Sequence, residues 1–120
     1  VEMSKSFEDL EVWKRACRQA LEIYETLKGA KDYSLKNQME RAAVSVPSNI
    51  AEGQERDSTK DFIRFLRIAK GSNGELRTQV YLATKLELIN TNKSNELINE
   101  SKQISKMLQG LINSLDVGER

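Results

Sequence analysis

Apolar residues recur every three or four positions along four stretches of this chain, which is the spacing of one helix face. The last stretch shows it plainly, with Leu97, Ile104, Leu108, Leu111 and Leu115 on one seam. Strand-forming clusters of β-branched and aromatic residues are absent, and Pro47 is the only proline in 120 residues. We therefore predict a single all-α domain over residues 1–120, an up-down-up-down four-helix bundle with short connections.

Polar residues ahead of the apolar stretches predict where the helices begin. Ser6, Ser34 and Ser58 are placed as N-caps, and Asp61 is positioned to support the cap at Ser58. Pro47 removes one backbone donor, so the second helix should kink or restart there. The predicted helices run over about 8–28, about 35–53, from 57 or 58 to about 89, and from 92–94 to about 115.

The apolar stripes also predict how the helices pack. The first helix should face the core with the stripe Leu10, Trp13, Cys17, Ala20, Tyr24 and Leu27, and Val12, Ala16 and Ile23 widen one flank. The third helix is apolar on several sides around Tyr81, so it needs cover on more than one side. In so small a chain, self-association is a natural way to provide that cover.

Catalysis is not expected from this composition. The sequence has no histidine and one cysteine, Cys17, so a His-based triad, a His-containing metal site and an internal disulfide are all excluded. Residues 71–74 (GSNG) resemble a nucleophile elbow only superficially, because no strand precedes them. Glu52 and Glu75 form a conceivable carboxylate pair, but nearby arginines should hold each one ionised. We expect no enzyme, no catalytic residue, no metal and no cofactor.

Neither a membrane span nor a secretory leader is predicted. No apolar run approaches the ~20 residues that cross a bilayer, and no signal-peptide pattern is present. The expected location is therefore the cytoplasm. The net charge of +1 favours no nucleic-acid partner by itself, so a case for one depends on local patterning.

Four segments resemble a known bacterial family. They are residues 7–13 (FEDLEVW), 33–38 (YSLKNQ), 45–53 (SVPSNIAEG) and 65–72 (FLRIAKGS). The likeness extends over nearly the whole chain, and on these motifs the chain resembles the 23S rRNA intervening-sequence proteins. The resemblance implies a left-handed bundle that assembles as a ring-shaped homopentamer. It also suggests kinship with the pentameric bundle proteins that accompany reverse transcriptases. It suggests RNA binding only by association, because some genes of the family lie inside insertions in large-subunit rRNA genes.

A polar network is predicted between the second and third helices. A hairpin turning near Arg56 pairs positions whose numbers sum to about 112, which sets Ser45 opposite Arg67. Gly71 and Gly74 would permit close approach of the two backbones, since glycine inside a helix costs about 1 kcal/mol relative to alanine and needs a packing reason. The network either fixes the helix register or forms a ligand site. Its predicted members are Arg41, Asn49, Glu52, Ser72 and Glu75.

The strongest functional signal is a basic stripe on the third helix. Lys60, Arg64 and Arg67 stand at i, i+4 and i+7, with Arg56 and Lys70 nearby. Repeated cations suit phosphate binding, although acidic residues are interleaved and such stripes also occur as solvated faces with internal ion pairs. Two functions remain open: an oligomer that binds structured nucleic acid, RNA in particular, through this stripe, and a scaffold ring that docks a protein such as a reverse-transcriptase-like partner.

Overall fold

The computed structural model describes residues 6–118, and these residues form helices without any strand. A short 3-10 helix at Phe7–Asp9 precedes four α-helices. These are α1 (Glu11–Thr26), α2 (Tyr33–Glu55), α3 (Thr59–Lys85) and α4 (Thr91–Gly118). The prediction of an all-α protein with four long helices is therefore confirmed.

Each helix packs against two others, as expected in a bundle. The α2–α3 interface is the most extensive, followed by α3–α4 and α1–α2, and α1–α4 is the least extensive. The α2–α3 pair therefore contributes the largest share of the packing between helices. The turn between these two helices contains Arg56, and α3 carries the other cations that the sequence singles out, Lys60, Arg64, Arg67 and Lys70.

Local capping explains where the helices begin. The Ser58 hydroxyl accepts a hydrogen bond from the Asp61 backbone N–H at 3.2 Å, so the predicted cap of α3 is confirmed. The prediction of Ser34 as the cap of α2 was wrong, because Asp32 accepts from the Leu35 N–H at 3.1 Å and the helix begins two residues earlier than expected. Ser6 caps the short 3-10 helix instead of α1.

Two further expectations concern Pro47 in α2 and the end of α3. Helix α2 continues through Pro47 without a restart. Helix α3 ends at Lys85, whereas a helix to residue 89 was predicted, because Glu87 adopts a left-handed φ of 62° and the Leu88 N–H bonds back to the Ala83 carbonyl at 2.8 Å. This is a Schellman-type ending. Since glycine and not glutamate is the usual signal for it, the sequence pattern missed the stop.

The predicted stripe of α1 is confirmed only in part: Ala20 and Leu27 are buried, and Leu10 and Trp13 pack against the core, but the buried face is centred elsewhere. Its buried residues are Val12, Ala16, Gln19, Ala20 and Ile23. Tyr24 was expected in the core, but 48% of it is exposed, and Cys17 is only partly buried. The residues predicted as a flank, Val12, Ala16 and Ile23, therefore lie at the centre of the buried face of α1, because the neighbouring helices approach from that side.

A layer of buried polar side chains lies between two apolar clusters. Gln19 Nε2 donates to Asn73 Oδ1 at 3.1 Å, and Asn73 Nδ2 donates to the Ser101 carbonyl at 2.7 Å. The Ser101 hydroxyl also donates to Asn73 Oδ1, at 3.2 Å. On α1, Ala16 belongs to one apolar cluster and Ala20 to the other, with Gln19 between them. Three helices are therefore held in register at mid-bundle.

Candidate nucleic-acid interface

The close contact between α2 and α3 depends on Gly53. A Cβ atom added to this buried glycine would lie 2.6 Å from Phe65 Cβ and 3.2 Å from Phe62 Cδ1. The expectation that Gly71 and Gly74 provide the close approach was wrong, because a Cβ added at either would meet nothing within 4 Å. The missing side chain at Gly53 is what lets Phe65 pack against α2.

Phe65 in turn gathers two of the predicted cations. The Arg56 guanidinium lies 4.9 Å from the centre of the Phe65 ring, and that of Arg64 lies 4.5 Å from it. Both distances are within the range of a cation–π interaction. Arg56 also pairs with Glu52 at 3.0 Å, and Arg64 pairs with Asp61 at 3.6 Å. One buried ring thus holds an arginine from the end of α2 and one from α3 at the same place.

The three cations of the stripe line one groove. Lys60, Arg64 and Arg67 border a space of about 770 Å³ beside α3. The other lining residues are Asp61, Ile63, Ile68 and Asp116. Lys60 and Arg67 are exposed and form no hydrogen bond or ion pair with any residue that the structure describes. Two cations of this groove therefore remain available to a ligand.

Lys70 has a different role from the rest of the stripe. It is partly buried, and its Nζ donates to Gln109 Oε1 at 2.7 Å. This bond joins α3 to α4 and holds the ammonium group in one position. Lys70 therefore lies next to the other cations in sequence but is already engaged inside the bundle.

The predicted polar network forms only in part. The Ser45 and Ser72 hydroxyls lie 2.8 Å apart, and Asn49 Nδ2 donates to Ser45 Oγ at 3.0 Å. The expected opposition of Ser45 and Arg67 was wrong, because the α2–α3 register pairs positions whose numbers sum to about 117, as the Ser45–Ser72 pair shows.

The remaining members of that network lie apart from it. Glu52 turns to Arg56, as described above. Arg41 and Glu75 are exposed, and neither forms a hydrogen bond or ion pair within residues 6–118. The buried polar contacts lie instead in the Gln19–Asn73–Ser101 layer. Gln19 could have been found from the sequence, because it continues the three- and four-residue spacing of Val12, Ala16 and Ile23.

A second groove, between α1 and α4, differs in being neutralised internally. It encloses about 580 Å³ and carries the ion pairs Arg15–Glu100, at 2.6 Å, and Lys93–Glu22. The hydrogen bond from Glu100 raises the pKa of Arg15, and that from Glu22 raises the pKa of Lys93, so both cations stay protonated and paired. This groove presents far less unpaired positive charge than the one beside α3.

Other kinds of site find no support in the part of the chain that the structure describes. No group of three or more His, Cys, Asp or Glu side chains is arranged to hold a metal ion there. Burial raises the pKa of the Cys17 thiol, which disfavours the reactive thiolate. Among the described helices, none combines the length and apolar character needed to cross a bilayer.

Comparison with models of known protein families gives a match over most of the chain. The family model described as 23S rRNA-intervening sequence protein matches residues 8–110. The chain belongs to this family. A search of curated proteins finds no match. The family assignment confirms the resemblance drawn from the four sequence segments.

A solved structure agrees with this assignment. It is the crystal structure of a protein of unknown function from the S23 ribosomal protein family of Bacteroides thetaiotaomicron. The two chains are 28% identical and superpose with a TM-score of 0.79. The match covers 84% of this chain and 97% of the Bacteroides chain. The fold is therefore shared over nearly the whole of the Bacteroides protein.

Proposed function

We propose that this family member is a non-catalytic oligomer that binds structured RNA through the basic groove beside α3. Lys60, Arg64 and Arg67 contact phosphates, Arg56 extends the surface across Phe65, and Lys70 supports it from the bundle. The observation that carries the proposal is that three cations line one groove while two of them, Lys60 and Arg67, have no partner among residues 6–118.

Unpaired cations matter because phosphate binding gains its free energy largely from the release of counterions. A cation already held by a carboxylate releases less when a phosphate arrives. The Phe65 ring holds the Arg56 and Arg64 guanidiniums near one another before any ligand binds, so less side-chain entropy is lost on binding. Such contacts give affinity more than sequence choice.

The proposal includes the left-handed, up-down arrangement and the homopentamer expected for the family. Support for self-association comes from large apolar side chains that the single chain leaves exposed. Tyr81 is 50% exposed, Leu82 51% and Leu86 59%, all near the end of α3. A ring would cover such residues and repeat the basic groove around its circumference, which increases avidity for one RNA molecule. The proposed location is the cytoplasm, where structured RNA is available.

Fluorescence anisotropy of a labelled RNA hairpin, measured across a salt series, tests the proposal. The variant Lys60/Arg64/Arg67→Glu is compared with Lys28/Lys31/Lys85→Glu, which makes the same charge change at exposed positions near the start of α2 and the end of α3. We expect binding by the unchanged protein to weaken with salt. The groove variant should bind at least tenfold more weakly, with a salt slope smaller by about 2, because about 0.7 to 0.9 is lost per phosphate contact. The control variant should bind nearly normally.

Equal loss of binding in the two triple variants would show that only net charge matters and would refute the groove as the site. Mass measurement of each variant separates lost binding from lost assembly. Large apolar side chains that are exposed on α1, Leu21 (70%) and Tyr24 (48%), favour a second function, a scaffold that docks a protein partner. A scaffold would show negligible RNA binding in every variant, and its partner binding would be insensitive to salt.

A further inference from the structure

The groove beside α3 contains more than cations, and its remaining residues suggest what it accommodates. Ile63 and Ile68 supply apolar surface, and Asp116 supplies a carboxylate. A volume of about 770 Å³ lies within the range of ordinary small-molecule sites, roughly 300 to 1,000 Å³. A surface that served phosphates alone would gain nothing from an apolar floor and would be weakened by an added negative charge.

Asp116 is brought to this groove by the register of α3 against α4. The Lys70–Gln109 bond joins the same stretches of α3 and α4, and Ile63 and Asp116 both line the groove. The cations of α3 and the carboxylate of α4 therefore border the same space, although 49 positions separate Arg67 from Asp116 in the sequence. The carboxylate is a feature of the tertiary structure and is not part of the basic stripe.

The carboxylate of Asp116 is also unengaged within the described part of the chain. Asp61, the other acid in the groove, pairs with Arg64 at 3.6 Å. Asp116 is exposed and forms no hydrogen bond or ion pair with the described part of the chain. An ionised carboxylate has two oxygens that only accept hydrogen bonds. A ligand that suits it presents two adjacent donors in one plane, in the way that an arginine fork does.

Among the four RNA bases, guanine matches this requirement. Its Watson–Crick edge carries the N1–H and N2–H donors side by side. Adenine and cytosine each place a ring acceptor beside one amino donor, and uracil places its single donor between two carbonyl groups. An acceptor facing the carboxylate would be repelled, so the carboxylate discriminates against these bases. Ile63 and Ile68 can cover the face of any base without choosing among them.

We infer that the groove holds one unpaired guanine nucleotide of an RNA strand, with Asp116 accepting from its Watson–Crick edge and Ile63 and Ile68 covering its ring. Lys60 and Arg67 contact the phosphates on either side. The guanine must be unpaired, because pairing occupies the edge that Asp116 contacts and side chains do not reach bases through the narrow major groove of an RNA helix. This inference rests on the proposed function and adds base choice to it.

The test uses the full chain and labelled eight-nucleotide RNA strands of adenines with one central guanine, inosine or adenine. A good bidentate contact discriminates by roughly tenfold or more, so the guanine strand should bind about tenfold more tightly than the all-adenine strand. Inosine lacks the N2 amino group and should fall between them. In Asp116→Asn the preference for guanine should disappear, because the amide offers one acceptor and one donor and suits adenine as well. The matched control is Glu96→Gln, which removes a carboxylate from an exposed position of α4 outside this groove and should keep the preference.

The outcomes separate this inference from the proposed function. Equal binding of the guanine and adenine strands, lost in the Lys60/Arg64/Arg67→Glu variant, would overturn the guanine site and leave RNA binding in place. A preference that persists in Asp116→Asn would also overturn it. Free GMP should compete at least tenfold more weakly than the guanine strand, and GMP that competes equally would overturn the assignment to an RNA chain. Failure of the hairpin and every strand to bind would overturn both proposals.

Discussion

Replacing Gly53 by alanine tests the packing that positions Phe65 and, through its ring, Arg56 and Arg64. The new Cβ would lie 2.6 Å from Phe65 Cβ, whereas carbon atoms in favourable contact are about 3.5 to 4.0 Å apart. Phe65 Cβ is attached to the backbone and cannot swing away, so α2 and α3 must separate by about 1 Å at this point. Overpacking of this kind costs about 1 to 3 kcal/mol.

Alanine also stabilises a helix relative to glycine, by about 0.5 to 1 kcal/mol. We therefore expect Gly53→Ala to lower the free energy of unfolding by about 1 to 2 kcal/mol. Gly110→Ala is the matched control, because a Cβ at this exposed position of α4 meets nothing within 4 Å. It should stabilise the protein by up to about 1 kcal/mol. The difference between the two variants isolates the steric cost, since both gain the same helix preference.

Urea unfolding followed by far-UV circular dichroism, at one fixed protomer concentration, measures both variants. The fixed concentration matters because assembly contributes to apparent stability. Gly53→Ala at least as stable as Gly110→Ala would refute the argument that the α2–α3 approach depends on this glycine. Gly53→Ala should also bind the labelled RNA hairpin more weakly, because a displaced Phe65 no longer holds Arg56 and Arg64 together.

Three further predictions concern the buried layer, a helix cap and the cysteine. Asn73→Leu should lower the free energy of unfolding by at least about 2 kcal/mol, because Gln19 and Ser101 lose a buried partner. A variant in which Gln19, Asn73 and Ser101 are all replaced by apolar residues should recover most of that loss in the same urea assay. No recovery would contradict the reasoning. Ser58→Ala should cost about 1 kcal/mol through loss of the α3 cap, measured as a shift of the urea midpoint. Burial raises the pKa of the Cys17 thiol, so the folded state favours the protonated thiol. The resulting contribution to the free energy of unfolding is fully present below the pKa that Cys17 has in the unfolded chain. It is lost as the pH rises through the higher pKa that Cys17 has in the folded protein. Its alkylation by iodoacetamide should show an apparent pKa above that of the urea-unfolded chain, and equal values would contradict the effect of burial.

Some features of this protein follow from short-range sequence signals. The spacing of apolar residues predicts four helices, and a serine followed three residues later by an acid predicts the start of α3 at Ser58. Both signals act within one or two helical turns and so require no knowledge of the partner helices. The four family segments can also be recognised from the sequence alone, because a family motif is matched residue by residue. The Glu87 stop in α3 was missed because a left-handed glutamate has no such local signal.

The sequence by itself determined that the chain is helical, approximately where its helices lie and to which family it belongs. The tertiary structure decided which face of α1 is buried, that Gly53 and not Gly71 meets the neighbouring helix, and that Asp116 joins the cations of α3. The physical reason is that helical periodicity leaves rotation and register undetermined. A stripe displaced by one position satisfies the same spacing, and only the packing of one helix against another selects among such stripes.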